Sequence, residues 1–148
     1  MKRLLAVLCS LLVFGSMLNV VTAYSENFEL AARDSATREI VLAIDDRLSG
    51  RITILVTPIN FSVTDPDGRI VLSQTIAGGL DLQFTANKTG TYRLLFENLF
   101  SDETKSITLN YNVQRYIFGF PQEFIILFVI VGFALVGIVV FAAMSPKP

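Results

Sequence analysis

The sequence has no histidine, no tryptophan and a single cysteine, Cys9, in 148 residues. Without His there is no Ser-His-Asp triad, no imidazole base and no His-ligated metal. Cys9 falls in an N-terminal segment that reads as removable, so the mature chain is expected to carry no thiol. That excludes a cysteine nucleophile, a zinc–thiolate site and a disulfide. Charge is also scarce: 17% of residues are charged and the net charge is −1. With Lys2, Arg3, Lys147 and Glu123 set aside, nine basic and twelve acidic residues remain of the chain's 12 and 13. A mildly acidic middle argues against nucleic acid and against anionic lipid as partners. Asp, Glu, Lys, Arg, Ser, Thr and Tyr are the chemistry left, in no visible constellation. The reading is therefore not an enzyme, with no catalytic residue, cofactor or metal expected.

What the chain has in excess is apolar sequence. Hydrophobic residues make up 52% and the mean hydropathy is +0.56, with the surplus at the two ends. Lys2 and Arg3, the apolar run Leu4 to Phe14, and Val21-Thr22-Ala23 have the order of a secretory signal cleaved after Ala23. An uncleaved anchor is the rival, since Met17 to Val21 prolongs the apolar stretch; Ser10, Ser16 and Asn19 weaken it. Cys9 comes too early, behind Val7 and Leu8, for a lipoprotein signal. At the other end, Phe124 to Met144 holds no charge and no proline, and its length suits a bilayer core of about 30 Å. Between Ile125 and Ala143 fourteen residues are Ile, Leu, Phe or Val, which favours insertion by about 6 kcal/mol. Tyr116, Phe118 and Phe120 stand just before it, as an interfacial aromatic belt does. The expected plan is a signal over 1–23, an ectodomain over 24–115, an interfacial segment over 116–123, a transmembrane helix over 124–144 and an inner tail over 145–148. The protein is then a single-pass type I membrane protein, its ectodomain extracellular or lumenal.

Between the ends the apolar period is two. Ile40, Leu42 and Ile44 alternate with Val41, Ala43 and Asp45, and Ile52, Ile54 and Val56 follow in the next run; Leu80, Leu82 and Phe84 alternate with Asp81, Gln83 and Thr85, and Ile107, Leu109, Tyr111 and Val113 with Thr108, Asn110 and Asn112. Each is a strand with one buried face. Turn clusters separate them: Asp65-Pro66-Asp67-Gly68, Gly78-Gly79, Asn87-Lys88-Thr89-Gly90 and Ser101-Asp102-Glu103. Seven or eight short strands at this spacing predict an all-β antiparallel sandwich. Asp65-Pro66-Asp67-Gly68 opens like a calcium loop, but Arg69 takes the next ligand position, so a hairpin turn is expected, with Gly68 left-handed. Asp45-Asp46 reads as a solvated strand end. Asn87-Lys88-Thr89 and Asn60-Phe61-Ser62 are glycosylation sequons, which makes Asn87 and Asn60 candidate acceptors, Asn87 the better placed.

From Ile52 to Val113 the chain resembles the GOLD (Golgi dynamics) domain of the ER–Golgi transmembrane cargo receptors. The residues that carry the resemblance are Phe61 to Gly68, a strand entering a Pro-x-Gly turn; Leu82 to Ala86; and Thr89-Gly90-Thr91-Tyr92-Arg93-Leu94-Leu95-Phe96-Glu97-Asn98, with its Gly-x-Tyr and Phe-x-Asn steps. Ser106 to Val113 resembles the closing strand. The sequence also departs from that family. Leu95 stands where a disulfide cysteine is expected, no heptads precede the membrane, and Ser145-Pro146-Lys147-Pro148 has no aromatic sorting signal. A prokaryotic, archaeal-type relative would show these losses. In physical terms Gly90 allows a tight turn, Tyr92 packs a ring at a strand start, and Asn98 is expected to bond its own backbone where that strand ends.

The resemblance implies a GOLD-like sandwich tethered by one C-terminal helix, which binds a protein partner as an accessory subunit or cargo-type adaptor. The partner is expected to be membrane-associated, and the binding surface a sandwich face or the loop tips. A structural cell-envelope protein and a carbohydrate- or lipid-binding sandwich remain open as alternatives.

Overall fold

The computed structural model describes residues 23–55 and 58–144. The expected leader up to Thr22, Val56 and the inner tail lie outside the described residues.

The alternating segments form eight strands of a sandwich: β1 (Ala23–Leu30), β2 (Ser35–Leu42), β3 (Arg47–Ile54), β4 (Ile59–Thr64), β5 (Ile70–Ile76), β6 (Gly79–Thr85), β7 (Gly90–Glu97) and β8 (Lys105–Gln114). One sheet has the order β1-β8-β3-β6 and the other β2-β7-β4-β5. Every pairing is antiparallel. This is the all-β antiparallel sandwich the alternation predicts. Its order is that of a jelly roll, two interleaved Greek keys. The first strand runs beside the last, with Phe28 opposite Ile107. The second runs beside the seventh, with Ile40 opposite Tyr92.

The inward faces interdigitate into one core. Phe96 is its centre: its ring lies 5.0 Å from Phe61 of the same sheet and 5.3 Å, edge-on, from Phe28 of the other. Tyr92, Leu94, Ile52, Ile107 and Leu109 are at most 1% exposed around it. Burying an aliphatic or aromatic side chain of this kind stabilises by about 1.5–3 kcal/mol. Gly50 on β3 faces the same interior. A Cβ there would lie 2.2 Å from Asn110 O and 2.8 Å from Tyr111 Cβ, so only glycine admits this close approach of β3 to β8.

The two sheets are also tied along one open side, where β1 and β2 are edge strands of opposite sheets. Arg38 of β2 reaches Glu26 of β1 with Nη2 at 2.7 Å from Oε1, and with Nε on both carboxylate oxygens. Its guanidinium lies 4.2 Å above the Phe28 ring. The Arg38 hydrogen bonds hold the Glu26 carboxyl below the usual carboxylate range.

The chain differs from the alternation at one place. β2 ends at Leu42, and Ile44 is exposed. Asp45 takes a positive φ of 69°, and Asp46 is buried rather than a solvated strand end. Its carboxylate accepts from the backbone N–H groups of Ala43 at 2.9 Å and Tyr116 at 3.3 Å. A buried carboxylate is tolerable here because backbone donors surround it.

A second unit begins at Ile117. Two short strands, β9 (Tyr116–Ile117) and β10 (Phe120–Pro121), pair as a hairpin within the segment expected at the membrane interface. Helix α1 (Gln122–Met144) follows. Its first 21 residues, Gln122–Ala142, are long and apolar enough to cross a membrane. Pro121 just before it and Glu123 in its first turn suit a helix start, since a missing N–H is harmless there and the macrodipole favours an acid.

Candidate partner-binding site

The sandwich has two ends, and both are built from turns that the sequence marks. At the first, Asp65-Pro66-Asp67-Gly68 is the hairpin turn expected. Asp65 is buried, and its Oδ1 accepts from the backbone N–H groups of Asp67 and Arg69, both at 2.9 Å. Gly68 has φ 79°. The next turn, Asn87 to Gly90, packs against it: Lys88 pairs with Asp67, and Pro66 lies over Gly90. The Tyr92 hydroxyl sits under this turn, donating to Asn87 Oδ1 at 3.0 Å and accepting from Lys88 N at 3.2 Å. Asp65, Lys88 and the Tyr92 hydroxyl hold the two turns together. Among the described residues no cluster of His, Cys, Asp and Glu is arranged to hold a metal ion.

The two sequons stand in different settings. Asn87 is exposed in that turn. Asn60 lies half-buried within β4, where its Oδ1 accepts from Thr75 Oγ1 at 3.0 Å.

The opposite end is built on Asn98. Expected to bond its own backbone, Asn98 instead ties two distant loops. It is 1% exposed, and its Nδ2 donates to Ala31 O at 2.9 Å and to Glu103 O at 2.8 Å. Its backbone joins the same lock: Asn98 N donates to Asp34 O, and Arg33 N donates to Asn98 O. The β1–β2 loop and the β7–β8 loop are thus one stapled unit. Arg33, at φ 57°, bridges to Asp102 at 2.7 Å across its surface. Beneath it Lys105 is fully buried, with its Nζ 3.1 Å from Glu103 Oε2.

What this scaffold displays is apolar. Phe100 is 83% exposed at the loop tip and Leu99 47%. Leu55, also exposed, comes from the adjacent β3–β4 connection, where its N–H meets Ser106 O at 3.2 Å. The sequence marks Ser101-Asp102-Glu103 as a turn but does not single out Phe100. The available signal is a Leu-Phe pair placed inside a loop rather than on a strand face.

Of the residues expected at the membrane interface, Tyr116 is held by the sandwich. Its N–H reaches Asp46, and its ring lies 4.5 Å beneath the Arg47 guanidinium. Phe118 and Phe120 are 93% and 56% exposed.

A sandwich with a Gly-x-Tyr turn at one end and an asparagine staple at the other, followed in the chain by a long apolar helix, matches a known family model. Residues 37–119, more than half of the chain, fit the emp24/gp25L/p24 family/GOLD model. The chain belongs to the emp24/gp25L/p24 family. That family is one of membrane-anchored, non-enzymatic cargo receptors, and its GOLD domain is here the jelly roll from β2 onward. No curated protein matches the sequence significantly. Among solved structures, the fold is similar to a periplasmic inhibitor of g-type lysozyme from Aeromonas hydrophila. That pair has 14% identity and a TM-score of 0.52, over 64% of this chain and 89% of that one. It is also similar to a Yersinia pseudotuberculosis-derived mitogen, with 9% identity and a TM-score of 0.51, over 66% of this chain and 91% of that one. The pre-peptidase C-terminal domain of a Bacillus anthracis collagenase matches at 12% identity and a TM-score of 0.51, over 60% and 87%. At these identities the likeness is one of fold.

Proposed function

We propose that this GOLD protein is a non-enzymatic, membrane-tethered adaptor or accessory subunit that binds a protein partner through the Phe100 loop. One observation carries the reading. A fully buried asparagine fixes two loops in place, and their tip presents an aromatic ring that is 83% exposed. Aromatic anchors on rigid loops dominate protein interfaces, because little conformational freedom is lost when they bind. Leu99 and Leu55 supply the apolar surround, and the Arg33–Asp102 pair a polar rim. The family's cargo-receptor role supports the same class of partner.

In this reading the leader is cleaved after Ala23, α1 spans the bilayer once, and the sandwich lies on the extracellular or lumenal side with its partner membrane-associated. In a host with the machinery, Asn87 carries a glycan; Asn60, set in a strand, is the poorer acceptor.

The test is affinity purification of the full chain from detergent-solubilised membranes. One stoichiometric protein partner is expected with the native chain and with Phe118→Ser. Loss of that partner with Phe100→Ser, in a chain that keeps its β circular dichroism, places the contact on the loop. A partner retained by Phe100→Ser contradicts the loop. High abundance in envelope preparations with no stoichiometric partner contradicts the adaptor and favours a structural protein.

A further inference from the structure

The β9–β10 hairpin has a turn its sequence does not suit. Two residues connect the strands, Phe118 with φ 54° and Gly119 with φ 79°. Positive φ at both central positions is the type I′ pattern, which matches the twist of two paired strands and favours Asn, Asp or Gly at the first position. A bulky aromatic in the left-handed region is an outlier, since its Cβ crowds the following carbonyl. Packing does not repay that strain, because Phe118 is 93% exposed. Ile117 and Phe120 extend the bare apolar surface on either side of the tip, at 38% and 56% exposed. The hairpin ends at Pro121, and the next residue, Gln122, starts the helix that is long enough to cross a membrane. The start of such a helix is where a chain meets the headgroup layer, and aromatic rings concentrate there.

We propose that the hairpin tip is a lipid-interface wedge. Phe118, with Ile117 and Phe120, inserts into the boundary between phospholipid headgroups and acyl chains, and the left-handed turn is retained because it points the Phe118 ring outward from the chain. Burial in lipid supplies the stabilisation that the turn lacks in water. Tyr116 is outside the wedge, its ring and N–H being engaged by Arg47 and Asp46. The inference rests on α1 spanning the bilayer, and it is independent of which protein the Phe100 loop binds.

The absence of tryptophan makes the test direct. Phe118→Trp, Phe133→Trp and Phe100→Trp each give the full chain one tryptophan, excited selectively over its tyrosines. Each is reconstituted in phosphatidylcholine vesicles carrying nitroxide-labelled lipid, with the label either near the headgroup or deep in the acyl chain. The expected result has three parts. Phe118→Trp emits to the blue of tryptophan in water and is quenched more by the shallow label. Phe133→Trp, near the middle of α1, is quenched more by the deep label. Phe100→Trp is quenched by neither. Water-like, unquenched emission from Phe118→Trp overturns the wedge. Blue-shifted emission without lipid quenching also overturns it, since the ring is then covered by protein or by a second copy. If Phe133→Trp escapes the deep label, the span fails and the wedge with it. Phe120→Trp reports on the same patch under the same rule if Phe118→Trp does not fold.

Discussion

Pro66 lies where a side chain on Gly90 would have to go. A Cβ on Gly90 would sit 2.6 Å from Pro66 Cγ and 2.8 Å from its Cβ. The Pro-x-Gly turn and the Gly-x-Tyr step, separated in the sequence, are therefore one packed structure. Gly90→Ala is expected to destabilise the sandwich by about 2–4 kcal/mol, from overpacking and from its φ of 150°. Gly78 also has positive φ, at 87°, but open space around it. Gly78→Ala should cost only about 1 kcal/mol. Equilibrium unfolding in denaturant measures both, and equal losses would contradict the contact.

Lys105 is fully buried, while the Glu103 carboxylate that it meets is 65% exposed. The pair is an uneven one, since only the lysine has lost its water. Replacing Lys105 by Met keeps the buried stem and removes the charge, so stability should change by less than about 1 kcal/mol or rise. Glu103→Gln leaves the ammonium without its carboxylate and should cost about 1–2 kcal/mol. Unfolding midpoints of the two variants check the sign of the difference.

The Arg38–Glu26 tie across the open side carries a pH signature. The Arg38 hydrogen bonds lower the Glu26 pKa below its ordinary value of 4.5. A carboxyl with a depressed folded pKa adds stability above its unfolded pKa and loses it as pH falls through the folded one. The native chain should therefore lose stability below about pH 4.5 more steeply than Glu26→Gln. Asp67, lowered likewise by the Lys88 hydrogen bond, leaves part of the acid slope in that variant. Identical acid limbs would show that the tie contributes nothing.

Asn98→Ala removes both donors that meet Ala31 O and Glu103 O. Two backbone carbonyls lose their partner, for an expected cost of about 1–3 kcal/mol. The loops should also lose register, which backbone hydrogen exchange at Arg33 and Asn98 would report as faster opening. Unchanged protection would mean that the loops hold without the staple.

Much of the sandwich was legible because alternation is local. Ile52, Leu82, Ile107 and Leu109 are core residues wherever their strands are placed. Which strands pair was not legible, since β1 against β8 and β2 against β7 join residues far apart in the chain. Asp46 and Asn98 were misread for the same reason. A side chain's own neighbours suggest solvent or a local turn, whereas Tyr116, which meets Asp46, and Ala31, which meets Asn98, come from distant parts of the chain. The Phe118 turn was invisible because Phe-Gly does not signal a type I′ hairpin. Phe100 was missed because a single aromatic in a loop has no periodicity.

The central claim is that the Asn98-stapled loop presents Phe100 to a protein. Site-specific photo-crosslinking in native membranes tests it most directly. A photoreactive phenylalanine analogue is placed at position 100, or at 83 on the exposed outer side of β6, in the full chain. One discrete protein adduct is expected from position 100, abolished when Asn98→Ala is added, and none from 83. The same adduct from both positions, or none from 100, would contradict it.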